Sequence, residues 1–191
     1  LNELTPNEVV ELDKKFIGIG ETGLDFYRNF SAAKQQELSF EAHMELAIET
    51  RYPLFLHERD AHKRFIEIIS PYKEDLPKSV VHCFTGNKDA LEKYIEMGFY
   101  IGITGWLCDE RRGKHLIDLI PIIPLDKLMI ETDCPYLLPR DMGIDNSTRN
   151  EPQFLKHIAG RIAEIRPESK ELLFSAIYMN SLDFFDVTFQ E

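Results

Sequence analysis

Five short, nearly continuous apolar runs recur along the chain, at KFIGIG (15–20), YPLFLH (52–57), SVVHCF (79–84), FYIGITG (99–105) and KLMIET (127–132). Runs this short, without strict polar alternation, predict strands covered on both faces. Between them apolar residues recur at helical spacing over roughly 33–50, 60–70, 87–97 and 110–120, with two more such segments after 150. Ahead of the first run, Thr5-Pro6-Asn7-Glu8 reads as a capping box with proline at the first helical position, opening a helix to about Lys14. Strand and helix alternate throughout, which predicts an α/β class with a parallel sheet. Parallel strands place all their C-terminal ends on one face, so the residues that end these runs are the ones to inspect.

Composition sets the bounds. A chain of 191 residues, 43% hydrophobic and 29% charged, can bury one core, and a single domain over 1–191 is expected. Its formal net charge of -11 repels anions, which argues against nucleic-acid binding through a broadly basic surface. A polyanionic substrate would need local compensation from cations or a few placed arginines. The cysteines, Cys83, Cys108 and Cys134, form no C-x-x-C pair, so neither a disulfide framework nor a zinc ribbon is indicated and a reducing cytoplasm fits. No apolar run approaches the ~20 residues a membrane helix needs. The chain opens on Leu1 rather than methionine, so its start says nothing about address.

The stretch FIGIGETGLDF carries Gly18, Gly20 and Gly23 in the spacing G-x-G-x-x-G, the local signature of a dinucleotide-binding turn. Glu21 stands in its middle, where a carboxylate would repel a pyrophosphate. The dinucleotide reading also requires an acidic residue closing the next strand about 20 residues on, yet residues 33–50 read as one long helix. The glycines are better explained as letting the chain turn sharply around the carboxylate. Taken in order, the apolar runs deliver Glu21, His57, His82, a Gly102–Gly105 turn and Asp133 at or just past their ends. A single histidine after a strand is usually a satisfied structural residue, and Asp133 alone would serve as a cap before Pro135. Two imidazoles and two carboxylates at equivalent positions have no packing rationale, and that set suits a divalent metal. His43, His62, His115 and His157 lie in helical segments and are expected to be exposed or partly packed. Cys83 and Cys134 are expected to be small buried hydrophobes.

The segments GETGLDFYRNFS, PLFLHERDAHKRF, VVHCFTG, YIGITGWLCDERRG, LMIETDCPYLLPRDM and RNEP together resemble the TatD family of metal-dependent deoxyribonucleases, over about residues 15–165. The resemblance implies a TIM (β/α)8 barrel of the metal-dependent hydrolase type, with two metals at the C-terminal ends of the strands. It implies that Glu21 bridges the metals, that His57 and His82 bind one of them, and that Asp133 contacts the other and orients the attacking water. Asp133 would act as general base and Glu21 beside it in catalysis. The implied activity is hydrolysis of DNA, from single strands or 3′ ends, as a 3′–5′ exonuclease supported by magnesium, with zinc or manganese as alternatives. No membrane partner is implied.

Around such a site Arg59, two residues past His57, would share its face and could hold a phosphate oxygen. Trp106, Phe84 and Tyr136 follow strand ends and could stack on a base. Arg140, with Arg111, Arg112 and Arg149, could offset the acidic field locally. The family's first strand carries an H-x-H pair that is absent from this sequence, and five strands are read where the barrel closes with eight, in about 250 residues. The expectation is therefore a C-terminal portion lacking the first three βα units, binding at most one metal tightly and cutting DNA slowly. A small-molecule amidohydrolase and an inactive binding domain are the competing readings.

Overall fold

A computed structural model of the chain describes residues 16–145 and 147–187. Strands and helices alternate: β1 (Ile19–Asp25), α1 (Ala33–Thr50), β2 (Leu54–Arg59), α2 (His62–Ile69), β3 (Ser79–Val81), α3 (Lys88–Glu96), β4 (Tyr100–Ile103), α4 (Lys114–Leu119), β5 (Leu128–Ile130), α5 (Leu155–Ile165) and α6 (Lys170–Phe184). The helix expected before Lys14 lies outside the described residues. The described residues form two compact units, one of residues 16–80 together with 184–187, the other within Val81–Asp183.

In the first unit β1 and β2 run parallel, Ile19 opposite Leu54 and Gly23 opposite His57. The register shifts between Ile19 and Thr22, so β1 carries one extra residue there and bulges at Glu21. This corrects the sequence expectation, which ended the first strand at residue 20 and set Glu21 beyond it. The strand runs on through Glu-Thr-Gly-Leu-Asp because its glycines bring two backbones unusually close. Gly23 has φ 144°, and a Cβ there would meet the His57 carbonyl oxygen at 2.0 Å. Gly20 has φ 115° and would meet the Phe55 oxygen at 2.4 Å. Close approach, rather than a sharp turn, is what these glycines supply.

On α1, Phe40, Met44 and Ala47 follow the i, i+4, i+7 stripe and are fully buried. Phe40 stacks on the equally buried Phe65 of α2, with ring centroids 4.9 Å apart. Burying each such ring contributes about 1.5–3 kcal/mol, which anchors both helices beside the strands that carry the site.

In the second unit β4 and β5 run parallel, with Gly102 opposite Met129. The core gathers Leu91, Tyr94, Ile101, Ile103, Ile158 and Ile162, all 1% exposed or less. Arg166 is buried too, and its Nη1 donates to the Ile120 and Ile123 carbonyls at 2.9 and 2.7 Å while Glu168 balances its charge. The strands stop short of the expected apolar runs, β3 at Val81, β4 at Ile103 and β5 at Ile130. The residues that follow carry the polar groups, although the Glu131 N–H still donates to the Ile103 carbonyl at 3.0 Å and the Phe84 N–H to the Gly102 carbonyl at 2.9 Å. α4 likewise starts at Lys114 rather than about 110, because the Asp109 carbonyl accepts from the N–H groups of Arg112 and Gly113 and closes a turn first.

Candidate metal centre

At the β1 bulge, Glu21 Oε1 lies 2.7 Å from Nδ1 of His57, the fourth residue of β2. The other ring nitrogen, Nε2, lies 3.3 Å from Asp25 Oδ2. Asp25 is itself fixed: its carboxylate accepts from the Arg28 N–H at 2.6 Å, and its own N–H donates to the Gln36 side chain at 2.9 Å. In the tautomer that gives Nε2–H to Asp25, Nδ1 presents its lone pair on the side of the Glu21 carboxylate; in the other, Nδ1–H donates to Glu21. In the first, one imidazole nitrogen and one carboxylate oxygen are placed together as donors, which is the chemistry of a divalent-metal site. The pair lines an open cavity of about 270 Å³ with Thr22, Asp25, Arg28 and Phe30.

In the second unit His82 follows β3 directly and is 8% exposed. Its Nδ1 donates to Glu131 Oε2 at 3.0 Å, which in the neutral ring leaves the lone pair on Nε2. The other Glu131 oxygen accepts the Cys83 N–H at 2.8 Å. The carboxylate rests on Gly102, where a Cβ would lie 1.8 Å from Oε1. Asp133, three residues past β5, is half-buried and held in the left-handed region at φ 56°. Its loop is stapled by Asn150, 3% exposed, whose amide donates to the Thr132 and Tyr136 carbonyls, both at 2.7 Å. The Asn150 N–H adds a bond to the Pro135 oxygen at 3.1 Å.

Sequence reasoning missed Glu131 and Asn150. Glu131 follows β5 directly but falls inside the run read as a strand to residue 132, and Asn150 lies in a loop remote from any apolar run. Of the residues expected to meet substrate, Arg59 packs its guanidinium 4.0 Å from the Tyr27 ring centroid. Trp106 and Arg140 line one small cavity of about 170 Å³ with Asp109, Arg111 and Arg112. There Arg112 lies 4.0 Å over the Trp106 ring, and Arg140 donates to Glu110 through Nε and Nη2, both at 3.2 Å. Asp109, 3% exposed, accepts from Arg111 and Arg112, whose guanidinium groups hold its carboxyl far below the usual carboxylate range.

Two expectations about neighbours fail. Phe84 is 4% exposed, buried against Tyr94, and offers no face to a base. Cys134 is exposed and Cys83 only half-buried, because each sits past its strand end in a polar loop. His157 is partly packed in its helix, as expected, and its Nε2 meets Asp141 Oδ1 at 2.5 Å.

A model of the family described as TatD related DNase matches residues 2–186. The chain belongs to that family. Among curated TatD-family proteins, it is 50% identical over 173 residues to the 3′-5′ ssDNA/RNA exonuclease TatD of Citrobacter rodentium, covering 90% of this chain and 66% of the relative. It is 47% identical over 188 residues to the protein of the same name from Escherichia fergusonii, covering 97% and 72%. The chain thus spans about two thirds of the length of the curated relatives it matches. Among solved structures it matches that of YjjV, a TatD homologue from Escherichia coli K12, with TM-score 0.86 and 25% identity, over 96% of this chain and 69% of that one. The fold is accordingly α/β, of the TIM-barrel type of the TatD hydrolases.

Proposed function

We propose that the chain acts as a divalent-cation-dependent nuclease, a single catalytic domain that hydrolyses phosphodiester bonds of single-stranded DNA or RNA from the 3′ end. The observation that carries this reading is the 2.7 Å approach of Glu21 Oε1 to His57 Nδ1, with Nε2 turned to Asp25. In this scheme Glu21, His57, His82 and Asp133 hold the cations, with magnesium preferred and zinc or manganese also suited to the imidazoles. Bound there, divalent ions would acidify water and offset the charge on the attacking and leaving oxygens. Asp133 orients the water and accepts its proton. Glu131 positions His82 by holding its Nδ1–H. Arg59 and Arg140 present guanidinium groups to phosphate oxygens, and Trp106 offers a face to a base. Such cationic groups are needed on a chain of net charge -11. The three free cysteines suit a cytoplasmic location.

Single-stranded oligonucleotides labelled at either end, incubated with Mg²⁺, test this directly. Mononucleotides should leave from the 3′ end, and Asp133→Asn should slow hydrolysis by ~10²-fold or more while oligonucleotide binding persists. Near-wild-type hydrolysis by Asp133→Asn removes that residue from the chemistry. Turnover of small amides or lactones without nucleic-acid cleavage would favour the amidohydrolase reading instead.

A further inference from the structure

Within the second unit a separate set of donors shares no residue with the centre described above. Cys108 closes the turn Gly105–Cys108, Asp141 lies in the turn Arg140–Met142, and His157 lies in the first turn of α5. One donor atom from each lies within 4.8 Å of the other two. Cys108 is 4% exposed, whereas the Asp141 and His157 side chains are 38% and 32% exposed, so the cluster is closed on the sulfur side and open to solvent on the other.

We propose that Cys108, Asp141 and His157 form a zinc site that ties the turns of Trp106 and Arg140 to α5. One thiolate, one imidazole and one carboxylate form a borderline-soft set that suits zinc over magnesium, with water completing the fourth position from the open side. The charges balance. A thiolate and Asp141 neutralise a dication, while Arg161, 3.9 Å from Asp141, is matched by Glu164 at 2.6 Å. Burial, reinforced by the Asp141 carboxylate, pushes the Cys108 thiol up to about 12. A dication reverses that penalty by taking the place of the thiol proton, so binding releases a proton. The role follows from position, since the three ligands come from segments that share no regular ladder, and two of those segments carry the Trp106 and Arg140 side chains.

Cobalt(II) tests the site without reference to activity, because a thiolate–cobalt bond gives a near-ultraviolet charge-transfer band and none of Glu21, His57, His82 or Asp133 supplies sulfur. The band should appear on titration of the full chain, persist in Glu21→Gln, Cys83→Ala and Cys134→Ser, and vanish in Cys108→Ser. Cys108 is buried and its replacement can disturb folding, so the partly exposed His157→Gln repeats the test, with cobalt affinity at the band falling ~10-fold or more. Zinc should raise the melting temperature of the wild type and much less that of His157→Gln. Absence of the band at millimolar cobalt, or its persistence in Cys108→Ser, leaves only a hydrogen-bonded Cys–Asp–His cluster and overturns the proposal.

Discussion

Removing Glu131 separates a positioning residue from a catalytic one. Its side chain is 17% exposed and accepts two bonds, from His82 Nδ1 at 3.0 Å and from the Cys83 N–H at 2.8 Å. Glu131→Ala frees the His82 ring to rotate and change tautomer, and partners of this kind are worth 10–100-fold in metal affinity, or about 1.4–2.7 kcal/mol. It also leaves the Cys83 N–H without its acceptor, at a cost to stability of about 1–3 kcal/mol. Gly102→Ala should reproduce the metal effect by another route, because its Cβ would stand 1.8 Å from Glu131 Oε1 and drive the carboxylate aside. Glu131→Gln, which keeps an acceptor oxygen but no charge, should fall between wild type and Glu131→Ala. The assay is oligonucleotide cleavage against Mg²⁺ concentration, with metal binding followed by calorimetry. The half-saturating Mg²⁺ should rise ~10–100-fold in Glu131→Ala and Gly102→Ala, with most of the rate recovered at saturation. Less than a ~3-fold shift in both would refute the argument, and a rate unrecoverable at any Mg²⁺ would place Glu131 in the chemistry itself.

Gly23→Ala puts a Cβ 2.0 Å from the His57 carbonyl at φ 144° and should cost about 2–4 kcal/mol, lowering the melting temperature by roughly 5–15 °C; an unchanged melt would mean β1 and β2 are not this close. Asn150→Ala strips donors from the Thr132 and Tyr136 carbonyls, so about 2–3 kcal/mol of stability should go, and cleavage at saturating Mg²⁺ should fall because Asp133 loses its fixed loop. Asp109 is held low in the folded state by Arg111 and then Arg112, so its contribution is complete above the unfolded value near 4 and is lost as pH falls through the depressed folded value. Urea midpoints between about pH 5 and pH 2.5 should therefore drop more steeply for the wild type than for Asp109→Asn, and parallel slopes would contradict the linkage.

Much of the architecture was legible because strands covered on both faces must be apolar throughout, and α1 announces itself through Phe40, Met44 and Ala47. β1 was misplaced because its continuation depends on Gly20 and Gly23 lying against the carbonyls of Phe55 and His57, a contact the local pattern does not encode. Among the proposed site residues, His57, His82 and Asp133 stand out for one reason: a polar side chain closing an apolar run needs an explanation. Glu131 follows β5 directly, inside the run read as a strand to residue 132, and its meaning lies in Gly102, whose missing Cβ makes room for the carboxylate that orients His82. Asn150 likewise reads as an ordinary loop residue until the Asp133 loop folds over it. Cys108, Asp141 and His157 were each dismissed or passed over singly, in a turn, a loop and a helix. Hydrophobic burial repeats with the period of its element and so can be read along the chain. A polar partner is chosen by whatever the fold brings to within 3 Å, and nothing in its immediate sequence is required to mark it.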